Sequence, residues 1–389
     1  MNEIINTKRE KIHIYISLFL FILINSLFCY KYPSRISEPV GVLSVITYVC
    51  FVVAIYYMHS KEKLSAIAKY DTLSMIVFTV LSLYILNVIP QESVKVDRWE
   101  IITLFWENVS NGIYPYAVQT PAGNYPGCMP VYFAIAYPFF LIGEIAVVTL
   151  ATLWISFLYF KEQLTKNDFS TVMLLMFVTP VIYWETYSRS TILMNTLLFF
   201  LIFLQLKEIP GCKRRCFYLY AILAGLIIST RNNFLIPIII WSIYAYTNRL
   251  IGFTKLVKWL GVMFATFAST FLPFIIAYPS QFMEYNPFIT QGTALLPFSW
   301  ICCIVSIVLL FSIKCKRFGD VVFLAGITFF LLATGHFIYF TMRYGNDAVL
   351  NGKVDISYYI FCIPFFIYNI LNISKAGYKK HNDIKLNSF

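Results

Sequence analysis

The longest polar segment of the chain contains four consecutive side chains that could do chemistry: Asp97, Arg98, Trp99 and Glu100. Acidic side chains are stable in water and strongly unfavourable in lipid. A carboxylate at the start of a loop that is rich in Trp, Tyr, Pro and Gly therefore indicates a site built at a membrane surface.

Other charged or titratable side chains fall in separate short turns or near helix ends: Glu185, Arg189, Arg231, Arg343 and His336. Ordinary structural roles stay open for each of them. Glu185 and Arg189 have the spacing of a helix-surface ion pair. Arg231 could extend to the interface from a helix end. Asp97 and Arg343 fit solvated loop charges, and His336 fits a hydrogen-bonded core histidine.

The composition determines which elements must position these groups. Of 389 residues, 59% are hydrophobic and 13% are charged, and the mean hydropathy is +0.71. Soluble domains carry about 25% charged residues. The sequence therefore predicts an all-α polytopic membrane protein, with a single membrane-embedded helical domain over 1–373 and a short cytoplasmic tail over 374–389.

Thirteen apolar runs approach the roughly 20 residues that a crossing requires. They lie near 12–30, 40–58, 72–90, 128–143, 145–160, 169–184, 191–206, 217–230, 233–247, 259–278, 295–313, 321–341 and 357–373. The run over 128–143 carries Pro130 and Pro138, which interrupt helix hydrogen bonding. We interpret it as an interfacial helix within an outer loop over 91–143, which leaves about 12 transmembrane helices.

The distribution of basic residues supports this interpretation. If 128–143 does not cross, 22 of the 30 Lys and Arg residues lie in segments on the side of both termini. If it does cross, the ratio becomes 10 against 20. Positive residues concentrate in cytoplasmic loops, so both termini are predicted to be cytoplasmic, and the 91–143 loop to face outward.

The formal charge of +11 follows from the same asymmetry and does not require a nucleic-acid partner. The nine cysteines show no metal-binding spacing, because Cys212 and Cys216 lack histidine partners. No metal site and no required cofactor are predicted.

The loop motifs resemble the GT-C superfamily of membrane glycosyltransferases, and its polyprenol-phosphate-mannose-dependent branch in particular. The features that carry the resemblance are Asp97 after an outward-going helix, Gly112-x-Tyr114-Pro115-Tyr116, the hydrophobic helix opened by Pro130, and Ala224-Gly225-Leu226 through Arg231 and Pro237. The resemblance is detailed over about 97–240. It implies transfer of a sugar from a polyprenyl-phosphate donor to a hydroxyl of a surface glycan or glycolipid, with inversion.

The resemblance also implies roles for the candidate residues. Asp97 would take the proton of the acceptor hydroxyl, and Arg231 and Arg343 would hold the donor phosphate. Substrate contacts would come from the remaining candidates: Arg98, Trp99, Glu100, Tyr114, Tyr116, Glu185, Arg189 and His336. A divalent metal stays open but has no support in the sequence, because no ligand cluster is evident and the chain has no Asp-x-Asp at Asp97.

Two other functions fit the same composition. An O-antigen or capsule polymerase also places arginines on the outer face, but it usually has a large late loop, and here 279–292 and 342–356 are short. A lipid-linked glycan transporter, which is not an enzyme, favours charges deep inside helices. Frequent Ile, Phe, Tyr, Asn and Lys fit an AT-rich bacterial genome, so the bacterial inner membrane is the predicted location, with the site facing the periplasm or exterior.

Overall fold

A computed structural model describes residues 2–94, 97–294, 296–345, 349 and 354–371. Helices make up 82% of the structure, and the described residues contain no strand. The expectation of an all-α protein is therefore confirmed. The predicted tail over 374–389 lies outside the described residues.

The helices follow one another with short connections. In chain order they are α1 Asn2–Lys31, α2 Glu38–Ser60, α3 Asp71–Val88, α4 Asp97–Ser110, α5 Pro130–Ile142, α6 Ala146–Gln163, α7 Lys166–Val178, α8 Pro180–Tyr187, α9 Ile192–Gln205, α10 Arg214–Ile228, α11 Leu235–Thr247, α12 Phe253–Ser269, α13 Leu272–Ala277, α14 Pro279–Glu284, α15 Pro287–Ala294, α16 Phe298–Ser312, α17 Phe318–Tyr344 and α18 Ile363–Ile370. Short 3-10 segments join them at Pro33–Arg35, Lys63–Tyr70, Gln91–Ser93, Pro115–Ala117, Ile209–Gly211, Asn232–Phe234 and Ile356–Cys362.

Four stretches within the described residues are long and apolar enough to cross a membrane: Lys8–Arg35, Glu38–Ser60, Lys63–Val88 and Phe318–Tyr344. The number rises to six if each of two bent helix pairs forms one span. Other predicted crossings fall on shorter apolar helices such as Ile192–Gln205 and Phe298–Ser312. The structure thus has four to six apolar spans, and its fold is compatible with a membrane protein.

Side chains on the outside of the long helices are apolar, as a bilayer environment requires. On α2, for example, Leu43, Ile46 and Phe51 each expose more than half of their surface. Contiguous exposed apolar surface of this kind is rare on soluble monomers and marks contact with lipid or another protein. The outward faces of the spans are therefore suited to lipid.

Local sequence signals explain the two sharp bends. Helix α5 begins at Pro130, whose missing N–H is not needed in a first turn. It ends at Gly143, which has a φ of 84° and lets α6 leave at 116° to α5. Helix α7 ends before Pro180, and α8 continues at 59° to it. These bends set the positions of α5 and of the end of α8 beside α4.

Two hydrophobic clusters hold the helices together. The larger runs through α1 to α3, α6 to α12 and α16 to α18. The smaller one, which we call the aromatic cluster, joins the 97–148 region to Met194, and its rings are Trp99, Phe105, Tyr114, Tyr116, Tyr132 and Phe133. The Phe105 and Phe133 rings stack with centroids 3.6 Å apart, so α4 and α5 are packed directly against each other.

Candidate functional site

The Arg98 side chain joins three distant parts of the chain. Its Nη1 donates to Ser190 Oγ over 2.6 Å, and its Nη2 donates to Asp355 Oδ2 over 2.6 Å and to Ser357 Oγ over 2.5 Å. Arg98 Nη1 also lies 3.7 Å from Glu185 Oε1. The first turn of α4 is thus fixed to the end of α8 and to the Ile356–Cys362 segment.

Glu185 is a fully buried carboxylate with two kinds of partner. Its Oε2 accepts a hydrogen bond of 2.7 Å from the Leu193 backbone N–H, and its Oε1 faces Arg98. The Arg98 guanidinium also lies 5.2 Å from the centre of the Trp184 ring. A buried charge is tolerated only when it is paired and hydrogen-bonded. Glu185 has the Arg98 charge beside it and the bond from Leu193, while its Oε1 has no hydrogen-bond partner among the described residues.

Charge pairing also governs the titration of Asp355. Burial raises the pKa of this carboxyl, but the Arg98 charge and the hydrogen bonds from Ser357 outweigh burial and hold the pKa below its ordinary value. For Arg98, burial lowers the pKa, but the charges of Asp355 and Glu185 raise it by more than burial lowers it. The pKa of Arg98 is therefore raised overall. Arg98 and Asp355 therefore form a permanently charged pair at neutral pH.

Asp97 is the first residue of α4 and is half-buried. Its Oδ2 accepts a 2.5 Å hydrogen bond from Asn124 Nδ2. Asn124 belongs to a tight turn in which the Thr120 N–H donates to the Asn124 carbonyl over 3.0 Å. An acid in the first turn interacts favourably with the helix dipole. Burial, followed by the charge of Asp97, raises the pKa of the neighbouring Glu100.

The turn after α10 carries Arg231 and holds the start of α5. The Met129 N–H donates to the Thr230 carbonyl over 3.2 Å, and the Val131 N–H donates to the Ser229 carbonyl over 2.9 Å. These bonds bring Tyr132 to Arg231, whose guanidinium carbon lies 5.9 Å from the ring centre. Arg231 is therefore positioned by backbone pairing between two segments that are about 100 residues apart.

Arg231 lies at the polar end of a cleft with a volume of about 310 Å³. The cleft is lined by Arg231, Asn232, Asn233, Leu235, Ile236, Ile239, Gln291, Phe298, Ile301, Leu332, Tyr358 and Phe361. Three polar atoms in it are buried and have no hydrogen-bond partner among the described residues: Arg231 Nε, Asn233 Oδ1 and Gln291 Nε2. Buried polar atoms without partners are uncommon, so this group is suited to a polar ligand.

Tyr358 connects the two polar corners. Its side chain lines the cleft beside Arg231. Its hydroxyl also lies within electrostatic reach of Asp355, Arg98, Arg231 and Asp97. The candidate site is therefore one polar region at the ends of α4, α8 and α10 and at the Ile356–Cys362 segment.

Arg189 lies outside this region and is fully buried. It donates to the backbone carbonyls of Tyr187, Leu86 and Ile89, and to both carboxylate oxygens of Glu144. The ion pair between Glu185 and Arg189 that their spacing favours is not formed. The reason is that α8 ends at Tyr187 and Arg189 adopts a left-handed φ of 54°, which turns its side chain toward α3 and Glu144.

Three aromatic candidates are buried in the aromatic cluster. Trp99 donates its Nε1–H to the Val94 carbonyl over 3.2 Å, and the Tyr114 hydroxyl donates to the Tyr285 carbonyl over 3.1 Å. Tyr116 is 1% exposed and has its ring edge against Phe105. In this structure the three rings support the loop, and none of them has an exposed face for a sugar.

The last two candidates differ in exposure. Arg343 is exposed near the end of α17, with its guanidinium 5.5 Å from the Tyr344 ring centre. His336 is buried about two turns earlier on the same helix, between the rings of Phe340 and Tyr358. His336 is therefore brought close to the site through Tyr358, whereas no described residue of the site contacts Arg343.

Several residues at the site had not been singled out as candidates in the sequence. Asn124, Gln291 and Tyr358 carried no distinctive motif, since single amides and tyrosines occur throughout the chain. Ser357 could have been found from Asp355-x-Ser357, because an Asp before a helical turn accepts from the N–H two residues later, as Asp355 does here.

The part of the chain that the structure describes contains no group of three or more His, Cys, Asp or Glu side chains that could hold a metal ion. No protein-family model, no curated protein and no solved structure matches the chain significantly.

Proposed function

We propose that the chain is a membrane glycosyltransferase of the GT-C kind. It would move a sugar from a polyprenyl-phosphate donor to a hydroxyl of a glycan or glycolipid acceptor, with inversion at the anomeric carbon. The proposal combines the resemblance of the loop motifs with the geometry of the candidate site.

The observation that carries the proposal is the cleft at Arg231. A polyprenyl-phosphate needs a cation for its phosphate and an apolar groove for its isoprenoid tail. The cleft offers a buried guanidinium nitrogen without a partner at one end, and side chains such as Ile239, Phe298 and Ile301 along its walls. Arginine is suited to phosphate because its charge is permanent and its planar fork donates two hydrogen bonds.

The arginines differ in their availability for this task. Arg98 is engaged by Asp355, Ser357, Ser190 and Glu185, so we assign it a positioning role for Asp97. Arg231 is our first choice for the donor phosphate. Arg343 is exposed and remains the second choice.

The proposed reaction is a single displacement. The acceptor oxygen forms a bond to the anomeric carbon, and the bond from that carbon to the phosphate oxygen breaks. The Asp97 carboxylate takes the acceptor proton, and the bonding electrons leave with the polyprenyl phosphate. Arg231 stabilises the charge that grows on the leaving phosphate.

The proposed membrane arrangement has 12 crossings in a bacterial inner membrane, with both termini cytoplasmic and α5 lying at the outer interface. Three points support it: with 128–143 not crossing, 22 of the 30 Lys and Arg residues lie on the side of both termini, α6 leaves α5 at 116°, and Arg231 follows the opposite end of α10 from Arg214. Donors of this class would then be consumed on the outer face.

A transfer assay in vesicles tests the function. The wild-type chain would be reconstituted with a panel of polyprenyl-phosphate sugars and membrane glycolipid acceptors. We expect Asp97→Asn to lower turnover by about 10²–10⁴-fold, because a general base is removed. Glu107→Gln is the control, since Glu107 is an exposed acid on the same helix. Near-wild-type turnover of Asp97→Asn, or a product with retained configuration, would contradict the mechanism.

The same assay compares the two phosphate candidates. Loss of one preorganised donor costs about 10²–10³-fold in turnover. We expect this loss for Arg231→Gln and little change for Arg343→Gln. The reverse result would assign the donor phosphate to Arg343 instead of Arg231. No transfer from any donor, combined with uptake of lipid-linked glycan into the vesicles, would support the transporter instead.

Labelling of Asp97→Cys in a cysteine-depleted chain tests the topology independently. A membrane-impermeant thiol reagent should label position 97 from outside intact spheroplasts. Lys255→Cys, in the first turn of α12, should react only after permeabilisation. The opposite pattern would invert the arrangement and exclude a site on the outer face.

A further inference from the structure

A second cavity, which we call the basic cavity, opens at the beginning of α10 and α12. Its volume is about 490 Å³. Its lining includes Ile209, Cys212, Arg214, Ile251, Lys255 and Lys258. Helix α10 separates it from the candidate site by roughly 22 Å, at 1.5 Å per residue over its 15 residues. The proposed transferase has no use for a site there.

Three cationic side chains converge on the basic cavity: Arg214, Lys255 and Lys258. Among the described residues that line it, none is acidic, although Glu208 lies within electrostatic reach of Cys212. All three cations are exposed, and the structure records for them only a contact of Arg214 with the Tyr218 ring at 5.9 Å. The cavity is therefore suited to an anion.

The cations of the basic cavity lie at the positive ends of two helix dipoles. Helices α10 and α12 both start at the basic cavity, and neither has an acidic residue in its first turn. Arg214 begins α10, and Lys255 is the third residue of α12. Cations near helix N-termini are unfavourable because both are positive. A bound anion would remove this repulsion from both helices at once.

The two helices are held together closely enough to form one site. At Gly225 an added Cβ would collide with the Met263 carbonyl oxygen and with Thr266. The absence of a side chain therefore lets α10 and α12 approach each other directly. The N-termini of α10 and α12, with their cations, therefore lie on either side of the same cavity.

The surroundings of the basic cavity are apolar. Ile209 and Ile251, which are 2% and 4% exposed, form part of its wall. Further along the same helices, apolar side chains are exposed: Leu219 and Ile222 on α10, and Val257 and Phe264 on α12. A cationic pocket that adjoins exposed apolar helices has the geometry to hold a charged headgroup beside acyl chains.

We propose that the basic cavity binds the phosphate headgroup of an anionic phospholipid, with the acyl chains lying on the exposed surfaces of α10 and α12. The convergent cations, the paired helix beginnings and the apolar surroundings together distinguish it from a solvated charged face. The full chain in a zwitterionic detergent tests this. Short-chain phosphatidylglycerol, short-chain phosphatidylcholine and inorganic phosphate would be titrated separately, and binding would be followed by the shift in thermal unfolding.

The decisive variant is Lys255→Gln with Lys258→Gln. The matched control is Lys213→Gln with Arg215→Gln, which removes the same charge from two exposed cations that do not line the cavity. Each basic residue at a membrane surface contributes on the order of fivefold to binding of an anionic lipid. We expect roughly 25-fold weaker phosphatidylglycerol binding in the cavity variant, little change in the control, and recovery with Lys255→Arg and Lys258→Arg.

Three results would overturn the proposal. Equal losses in the cavity variant and its control would show a diffuse charge effect. Equal affinity for phosphatidylcholine would show that the net charge of the headgroup is not recognised. Binding of inorganic phosphate with no binding of phosphatidylglycerol would assign the cavity to a soluble phosphate. A thermal unfolding transition without added lipid shows whether each variant is folded. If the glutamine pair is unfolded, the arginine pair tests the proposal instead, because it keeps both charges and should keep phosphatidylglycerol binding.

Discussion

Arg189 and Arg231 both follow a short helix that ends near the same face of the molecule, and their surroundings are opposite. Arg189 donates to three backbone carbonyls and to Glu144, and none of its surface is exposed. Arg231 contacts the rings of Tyr132 and Phe361, and its buried Nε has no partner among the described residues. One arginine is used by the fold, and the other is available for a ligand.

This difference shows that a charge near a membrane surface is informative only when its partners are known. Arg98 belongs with Arg189, because carboxylates and hydroxyls occupy its guanidinium. Groups that a fold already satisfies contribute to stability, whereas unsatisfied buried groups point to a ligand or a strained site. The comparison therefore predicts which arginines, when replaced, affect stability and which affect activity.

The largest effect should come from Arg189→Met. Removing one partner of a buried pair costs about 3–5 kcal/mol, because the remaining groups stay buried without compensation. Here those groups are Glu144 and the carbonyls of Leu86, Ile89 and Tyr187. Reversible unfolding in mixed detergent micelles measures the loss.

The same measurement on Arg231→Met sharpens the comparison. We expect its free energy of unfolding to stay near that of the wild type. The Nε of Arg231 has no hydrogen-bond partner among the described residues, so the substitution breaks no hydrogen bond at that atom. Arg215→Met, at an exposed position, should change stability by no more than about 0.5 kcal/mol. Equal destabilisation by Arg189→Met and Arg231→Met would remove the distinction on which the proposed phosphate site depends.

A smaller effect is expected for the coupling between Arg98 and Glu185. Neighbouring charged residues show interaction energies of about 0.5–3 kcal/mol in double-mutant cycles. We expect a value in the upper half of that range for Arg98→Met with Glu185→Gln, because Glu185 is fully buried. A cycle of Glu185→Gln with Arg343→Met should be additive within about 0.5 kcal/mol. An additive Arg98–Glu185 cycle would show that the 3.7 Å contact does not stabilise the fold.

Hydropathy and local turn chemistry were sufficient for the helical class and for several element ends. The run over 128–143 was predicted to form a helix opened by Pro130, and the structure begins α5 at Pro130 and ends it at Ile142, just before Gly143. The turn at Arg231 was equally visible, between two short apolar runs. These features depend on neighbours in the chain, which a sequence displays directly.

The pairings at the site could not be predicted, because they depend on distant contacts. Arg98 meets Asp355 across 257 positions, and Arg189 meets Glu144 across 45 positions instead of its fourth neighbour. Trp99, Tyr114 and Tyr116 have the composition of a sugar-binding surface, and only the packing of α4 on α5 reveals that their rings are buried. The sequence could therefore name the charged side chains but could not say which of them the fold uses.

The smallest expected effect is a pH dependence that separates Arg98 from Arg231. Because the folded pKa of Asp355 lies below its ordinary value of 3.8, the stability that its charged form provides is complete above that value and is lost as the pH falls through the lowered pKa. The Asp355 side chain is 38% exposed, so solvent screening limits the contribution to less than about 1 kcal/mol.

Asp355→Asn should therefore be less stable than the wild type near neutral pH, and the difference should shrink as the pH falls below about 4. Unfolding free energies of both chains across this acidic range measure it, with Glu107→Gln as an exposed control that should follow the wild type more closely. If the difference between Asp355→Asn and the wild type does not vary with pH, Arg98 does not favour the charged carboxylate. Its guanidinium would then be held only by Ser190, Ser357 and Glu185, and Arg98 would have to be tested beside Arg231 for the donor phosphate.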